Sequence, residues 1–496
     1  MSEHYLMGID IGSSESKGVL CDLSGNVLAL ETRSHDIKMP KPGWFEQDPM
    51  EVWWGDFVKI SKALIKKASV EKASVKGVAV SALGQDLLPV DRSGNPTRKY
   101  AILYGIDTRA AAQIEEMNRH LGEEQILLRS KNALSTQAVG PKISWLKEND
   151  PKAFEAADYY MTASSFIVLK LTNRAVIDHH QASFWVPLYD FDHRRWNRDF
   201  CEAYFDSRKL PELIEVTEVA GYISEEAAAK TGLMAGTPVT AGTSDAFAES
   251  ISVGAVENSK MMAMYGSTTC LFMPVEKIEA DSGVWSYASY EPGKYGVAMC
   301  TAASGSVTKW FKDCFAKELT QDAYGTLVSQ AEEVEAGARG LIVLPYFSGE
   351  RSPVYDTKAK GIIFGLTLNH TREDVYKAVI EGIAYSIRHN LERLNELGIY
   401  PETIVAVGGG IKNKIWLQAV SDICNITQLI PEIGIGASYG DAYLAGVGAG
   451  FFDDVEGISR WVRYKNVITP NKINIPVYEE GYLKYRGLYY QTRSYL

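Results

Sequence analysis

The chain is short of the features that would mark several classes of protein. Its six cysteines, Cys21, Cys201, Cys270, Cys300, Cys314 and Cys424, are scattered. None forms a CxxC or a Cys/His spacing suited to zinc, so they read as reduced thiols of a cytoplasmic protein. Lys and Arg are outnumbered, 51 against 62 acidic residues, for a net charge of -11. With no sustained basic stripe, general affinity for nucleic acid or an anionic membrane is excluded. No apolar run approaches the roughly 20 residues of a spanning helix. Met1-Ser2-Glu3-His4-Tyr5 enters a strand pattern without a basic and an apolar leader region, so no export signal is expected. There is no GxxxxGK[ST], and Gly446-Val447-Gly448-Ala449-Gly450 lies inside a helical pattern, which argues against a P-loop and a dinucleotide-binding domain.

What is present is a soluble globular composition, 46% hydrophobic and 23% charged, over 496 residues. That length divides most simply into two domains, here placed at 1–250 and 251–496. Tyr5–Ile11, the turn Gly12-Ser13-Ser14, Lys17–Asp22 and Val27–Thr32 read as a three-stranded meander. Lys260–Tyr265, Gly266-Ser267-Thr268-Thr269, Cys270–Pro274 and Gly296–Thr301 repeat that layout in different residues. Strands at Val75–Ser81 and Ala101–Ile106 alternate with helices, which argues for α/β. The 125–220 section is helical and aromatic-rich. Thr371-Arg372-Glu373-Asp374 caps a long helix whose apolar residues recur every three or four positions to Gly398.

The candidate chemistry gathers at strand ends, where ligands bind in such sheets. Asp245, in Gly242-Thr243-Ser244-Asp245-Ala246-Phe247 after the strand Val239–Ala241, can project as a base, or it can N-cap the helix Ala246–Val253. The turn Asp10–Lys17 combines a carboxylate, Gly12, Ser13, Ser14 and Lys17. It suits phosphate oxygens and a hydrated magnesium ion at Asp10, or it is an ordinary polar hairpin. Gly266, Ser267 and Thr268 would grip a polyphosphate from the other side. Gly408-Gly409-Gly410 at a strand end lets backbone lie against a nucleotide base, or lets helix and strand pack closely. Trp44 suits a sugar site or a packing plug. His179-His180 lacks a third ligand and reads as a structural or solvated pair.

In this order the pieces resemble the FGGY family of carbohydrate kinases over nearly the whole chain. Gly361-Ile362-Ile363-Phe364-Gly365-Leu366 and Asp374–Glu381 fit its C-terminal signature, and Leu344–Pro353 is similar to the stretch that precedes it in xylulokinase members. Lys142–Asn149 fits the N-terminal signature, while Gln137 and Val139 do not. The resemblance implies two ribonuclease-H-like domains of the actin, hexokinase and heat-shock chaperone superfamily with an interdomain catalytic cleft. The first domain would bind sugar and the second the nucleotide. It implies ATP and Mg2+, with Asp245 as catalytic base and acceptor contact, metal contacts from Asp10 and Asp245, and phosphate contacts from Gly12–Lys17 and Gly266–Thr268. Gly408–Gly410 and Asn413 would meet adenosine.

Tyr104, Asp107 and Arg109 fall where members often have Trp-x-Asp-x-Arg, and with Trp44 and Gln85 they are the acceptor candidates; Asp107 can equally cap a helix. The implied acceptor is a small sugar or polyol, first a ketopentose such as D-xylulose, then ribulose, gluconate, glycerol or a tetritol. Leu83-Gly84-Gln85 and Ala246 replace a Met-His-Gly run and an Asn of the xylulokinases, which removes polar groups for a ketopentose. An actin-like or chaperone-like ATPase and a sugar sensor are the readings from other classes. Family members are often dimers, which leaves a homodimer possible.

Overall fold

The computed structural model describes residues 4–495; Met1–Glu3, where the leader was sought, and Leu496 lie outside it. The chain forms two compact units. The first holds the chain up to Val256 with Glu276–Gly296 and Ile435–Val462; the second holds Glu257–Val275, Val297–Gly434 and the chain from Arg463. The division is thus discontinuous where the sequence suggested a single cut at residue 250.

In the first unit, strands β1 (Tyr5–Ile11), β2 (Glu15–Asp22), β3 (Val27–Ser34), β4 (Val75–Ala82), β5 (Val219–Tyr222) and β6 (Pro238–Thr240) form a sheet in the order β3-β2-β1-β4-β6-β5. The first three are an antiparallel meander, β4 runs parallel to β1 and β6 to β4, and β5 is antiparallel to β6. Leu6, Met7, Ile9 and Ile11 are fully buried, so β1 is covered on both faces. Gly8 and Gly77 mark the seat of the helix Ala437–Gly448: a Cβ on Gly8 would lie 2.0 Å from the Ser438 carbonyl oxygen, and one on Gly77 2.6 Å from that of Ala445. This close seat is why residues 435–462 belong to the first unit.

Pairing register places the chemistry. Asp10 of β1 pairs with Ser81 of β4, and Ser81 pairs with Thr243 in the short strand Thr243–Ser244. Asp10, Ser81 and the turn carrying Asp245 therefore share one end of the sheet. The section after residue 125 is helical and aromatic as expected, around a core with Trp145, Tyr160, Trp185 and Tyr189. The strand expected over 101–106 is shorter: only Ala101–Ile102 pair, with Glu46 and Gln47.

The second unit contains β7 (Lys260–Tyr265), β8 (Thr269–Val275), β9 (Tyr295–Cys300, of which Val297–Cys300 belong to this unit), β10 (Thr403–Val407), β11 (Thr427–Pro431) and β12 (Tyr464–Ile468), ordered β9-β8-β7-β10-β11-β12. β7 is antiparallel to β8 and parallel to β10, β11 is parallel to β10, and β12 is antiparallel to β11. Through its first five positions this repeats the order of the first sheet; at the edge, β12 follows β11 in the chain where β5 precedes β6. The helix Arg372–Glu396 begins at a reciprocal cap between Thr371 and Asp374 and buries Val379, Ile383, Ile387 and Leu394. One expectation is corrected. Cys270 and Cys300, brought together on adjacent strands β8 and β9, form a disulfide, while Cys21, Cys201, Cys314 and Cys424 are free thiols.

Candidate active site

Asp245 is the first residue of the helix Asp245–Ser252, and Ser244 is its N-cap. Its Oδ1 accepts the Ala246 amide, the N2 position of that helix, at 2.7 Å. Loss of hydration raises its pKa to about 6, against the Ala246 amide, which lowers it. The turn is braced from behind. Thr243 donates to Asp178 Oδ2 at 2.7 Å, and Ser244 Oγ lies 2.8 Å from His180 Nε2. The His180 ring stacks on Phe247 at 4.1 Å. Burial brings Asp178 to about 7 and holds His180 down at about 3, so His180 is a neutral ring at working pH. The two histidines do point apart: His179 Nδ1 meets the Tyr189 hydroxyl at 2.8 Å. Sequence reasoning missed Asp178 and His180 as supports, since nothing local connects 178–180 to 243–247.

Asp245 has acidic neighbours. Asp10 is held well above the usual carboxylate range by burial first, then by Asp245, Asp441 and Glu249, with Ser81 pulling the other way. Burial and Asp245 raise Glu249 to about 7. Asp441, on the helix Ala437–Gly448, accepts both the amide and the hydroxyl of Ser81, and its Oδ1 has no partner. Among the described residues no group of three His, Cys, Asp or Glu is arranged to hold a metal by itself. The donor set of Asp10 and Asp245 fits a hard cation that takes its remaining oxygens from water and phosphate. Mutual repulsion among these carboxylates is what such a cation would relieve.

The first hydroxyl-rich turn is as expected, Gly12–Ser14 between β1 and β2, with the Gly12 amide donating to Glu15 O at 3.1 Å. Lys17 points its Nζ to the Ile435 carbonyl at 3.2 Å. Ser13 Oγ lies 3.1 Å from the Tyr104 hydroxyl, and the Ser13 carbonyl accepts from Gln47 at 3.0 Å. The acceptor candidates separate into two sets. Asp107 is saturated: its oxygens take Arg109 Nε, Nη2 and backbone N–H and the Phe45 amide. Arg109, wholly buried, reaches Glu46 at 2.9 Å and lies 4.3 Å over the Trp44 ring, itself edge-on to Trp145. Trp44, Asp107 and Arg109 are thus a packed wall.

Gln85 is different, since its side-chain oxygen is buried without a partner. Its neighbour Asp86 is also buried, with neither oxygen in a hydrogen bond. Burial, and then Asp245, lift Asp86 well above the carboxylate range, while Lys142 and the Ala163 and Tyr104 amides oppose it. Lys142 donates to the Gln85 carbonyl at 2.9 Å, and burial lowers it to about 8. Orphaned buried oxygens beside a lysine are a site made for a polar ligand.

In the second unit a pocket of about 1070 Å³ is lined by Gly266, Ser267, Gly409, Gly410, Asn413 and Trp416, with Lys309, Tyr324 and Gln330. The first five are sequence candidates; Thr268 and Gly408 belong to the same loops but do not line it. Asn413 Oδ1 caps the helix Lys414–Cys424 through the Trp416 amide at 3.1 Å. Trp416 Nε1 is a buried donor without a partner. The size and the mixture of ring, amide and glycine backbone suit a ligand with a flat base and a polar tail.

Two similarly wound α/β units, one bearing a base-like Asp and the other a glycine-lined pocket, define a class of phosphoryl-transfer proteins. The sequence model described as "FGGY family of carbohydrate kinases, N-terminal domain" matches residues 5–252, and that of the family's C-terminal domain matches 261–449. The chain belongs to the FGGY family of carbohydrate kinases and is a kinase enzyme of that family. It is 29% identical to a xylulose kinase of Lactococcus lactis over 98% of this chain and 97% of that one. It is 25% identical to a gluconokinase of Bacillus subtilis over 92% and 90%. The crystal structure of xylulose kinase from Rhodospirillum rubrum superposes with a TM-score of 0.93 at 27% identity, covering 99% of both chains.

Proposed function

We propose that the protein transfers the γ-phosphoryl group of ATP to a hydroxyl of a ketopentose such as D-xylulose. The observation that carries this is the Asp245 carboxylate, on a turn braced by Asp178 and His180 and set at the same sheet end as Asp10; burial raises its pKa toward neutrality, which suits a base. Asp245 would orient the attacking hydroxyl and take its proton late in the transfer. Gln85, Asp86, Lys142 and Tyr104 would bind the remaining acceptor hydroxyls, with Trp44, Asp107 and Arg109 fixing the wall. Ser13, Ser14 and Lys17 would contact phosphate from the first unit and Gly266–Thr268 from the second, with Gly408–Gly410 and Asn413 against adenosine. Mg2+, held by Asp10 and Asp245, would offset phosphate charge. A cytoplasmic location and a homodimer are part of the proposal.

A second reading, a kinase of gluconate, ribulose, glycerol or a tetritol, is favoured by Leu83-Gly84-Gln85 and Ala246 standing where the xylulokinases carry a Met-His-Gly run and an Asn. Both readings are tested by ADP release from Mg-ATP over a panel of pentuloses, aldonates, glycerol and tetritols, beside Asp245→Ala. Stimulation by D-xylulose that is lost in Asp245→Ala supports the first reading, and stimulation by another compound supports the second. Stimulation that survives the substitution overturns Asp245 as base. ATP turnover indifferent to every compound returns the ATPase or sensor reading.

A further inference from the structure

The first phosphate turn has a support that the reaction itself does not use. His35 follows β3 and sits in its gap, its side chain 9% exposed. Its amide donates to the Ser14 carbonyl at 3.0 Å. Its Nε2 lies 3.0 Å from the Gly12 carbonyl oxygen and its Nδ1 3.0 Å from Asp56 Oδ2. Both ring nitrogens therefore face acceptors. A neutral imidazole carries a single N–H, so both contacts are hydrogen bonds only in the imidazolium.

The surroundings favour that charge. Asp56, on the helix Gly55–Ala68 and 8% exposed, also takes the Ser16 hydroxyl at 3.0 Å, with Lys59 Nζ 3.6 Å from its other oxygen. Burial works against a charged ring, but the Asp56 and Gly12 hydrogen bonds, with Asp56 and Asp36 as negative charges, outweigh it and raise the pKa above the ordinary histidine value. Gly12, Ser14 and Ser16 are thus tied through His35 and Asp56 to one helix, at alternate positions of the turn.

We propose that His35 as an imidazolium is a positioning residue for the phosphate turn Gly12–Lys17, and that nucleotide affinity falls as it gives up its proton. This rests on the reading of that turn as phosphate-binding. Without the proton one of the two bonds fails, either to Gly12 or to Asp56, and the turn loses its tie to the helix. His35 acts through the Gly12 and Ser14 carbonyls. The effect belongs to KM for ATP and leaves KM for the acceptor alone.

The test compares wild type with His35→Gln, whose amide can donate to one acceptor but presents oxygen to the other and does not titrate. At pH 6.5 the variant should show a roughly tenfold higher KM for Mg-ATP, with acceptor KM within about twofold. The wild-type advantage should shrink as pH rises to 9; taking the ratio of the two proteins cancels ionisation of ATP and of Asp245. Equal KM values at pH 6.5, or a ratio that does not change with pH, overturns the proposal. Nitrogen-15 NMR of the wild type provides a readout that needs no variant: both His35 nitrogens should carry protons at pH 6, below the ordinary histidine value, and a single protonated nitrogen there overturns the proposal. Lys17→Met separates the two failures. If it leaves KM for ATP unchanged, the phosphate-turn reading itself is wrong; if it raises KM while His35→Gln does not, only the role of His35 is lost.

Discussion

Ser81 Oγ stands 2.6 Å from Asp441 Oδ2 and 3.2 Å from Asp10 Oδ1, so a single hydroxyl proton faces two carboxylates. The shorter contact takes it, and the Ser81 amide donates to the same Asp441 oxygen at 3.1 Å. Asp441 is fully buried, and burial raises its pKa well above the usual range. With a folded-state pKa above the unfolded value near 4, its favourable proton binding is complete below about pH 4 and is lost as pH rises through the raised value.

Asp441→Asn removes that penalty and keeps an oxygen for Ser81. The variant should equal wild type in urea unfolding below about pH 4 and exceed it at pH 8 by about 1–3 kcal/mol. Lower stability of the variant at pH 8 would mean that Asp441 is compensated as an anion, and the argument from its unpartnered Oδ1 would fail.

Asp245 gives a separate pH signature. Its pKa of about 6, set by lost hydration against the Ala246 amide, means that kcat/KM should fall about tenfold per unit as pH drops below 6. Asp245→Asn should lower kcat by about 10²–10⁴ without lowering the unfolding midpoint. A variant whose acid limb survives would place the titrating base elsewhere.

Much of this was legible locally. The two hairpins announce themselves by alternating apolar residues around Gly12–Ser14 and Gly266–Thr268, because turn chemistry and strand period are short-range properties. The same holds for the cap at Thr371 and Asp374 and the glycine run at the end of β10. What was not legible is non-local. Asp441 meets Ser81 across 360 residues, and its helix seats on Gly8 and Gly77. Nothing in the helical pattern of 437–448 points to that partner. Asp178 and His180 brace Thr243 and Ser244 only through contacts between segments 65 and 64 residues apart. Asp107 looked like an acceptor contact from its setting, and the Arg109 guanidinium that occupies it was visible two residues on, but not which way it turned.

The three consecutive glycines separate packing from binding. Gly408 has φ of +85°, and a Cβ there would lie 2.8 Å from the Tyr265 carbonyl oxygen. Gly408→Ala should therefore destabilise the protein by about 1–3 kcal/mol, whatever it does to the ligand. Gly409 lines the 1070 Å³ pocket, and a Cβ built on it meets no atom within 4 Å. Gly409→Ala should leave the melting temperature within a degree or two of wild type, since the methyl enters open space. If adenosine lies against this backbone, the same methyl costs nucleotide affinity, and KM for ATP should rise roughly tenfold with acceptor KM unchanged. Thermal unfolding and steady-state kinetics on the pair check both halves. A Gly409→Ala protein with wild-type KM for ATP would move the base away from this strand end and leave Gly408–Gly410 with a packing role alone.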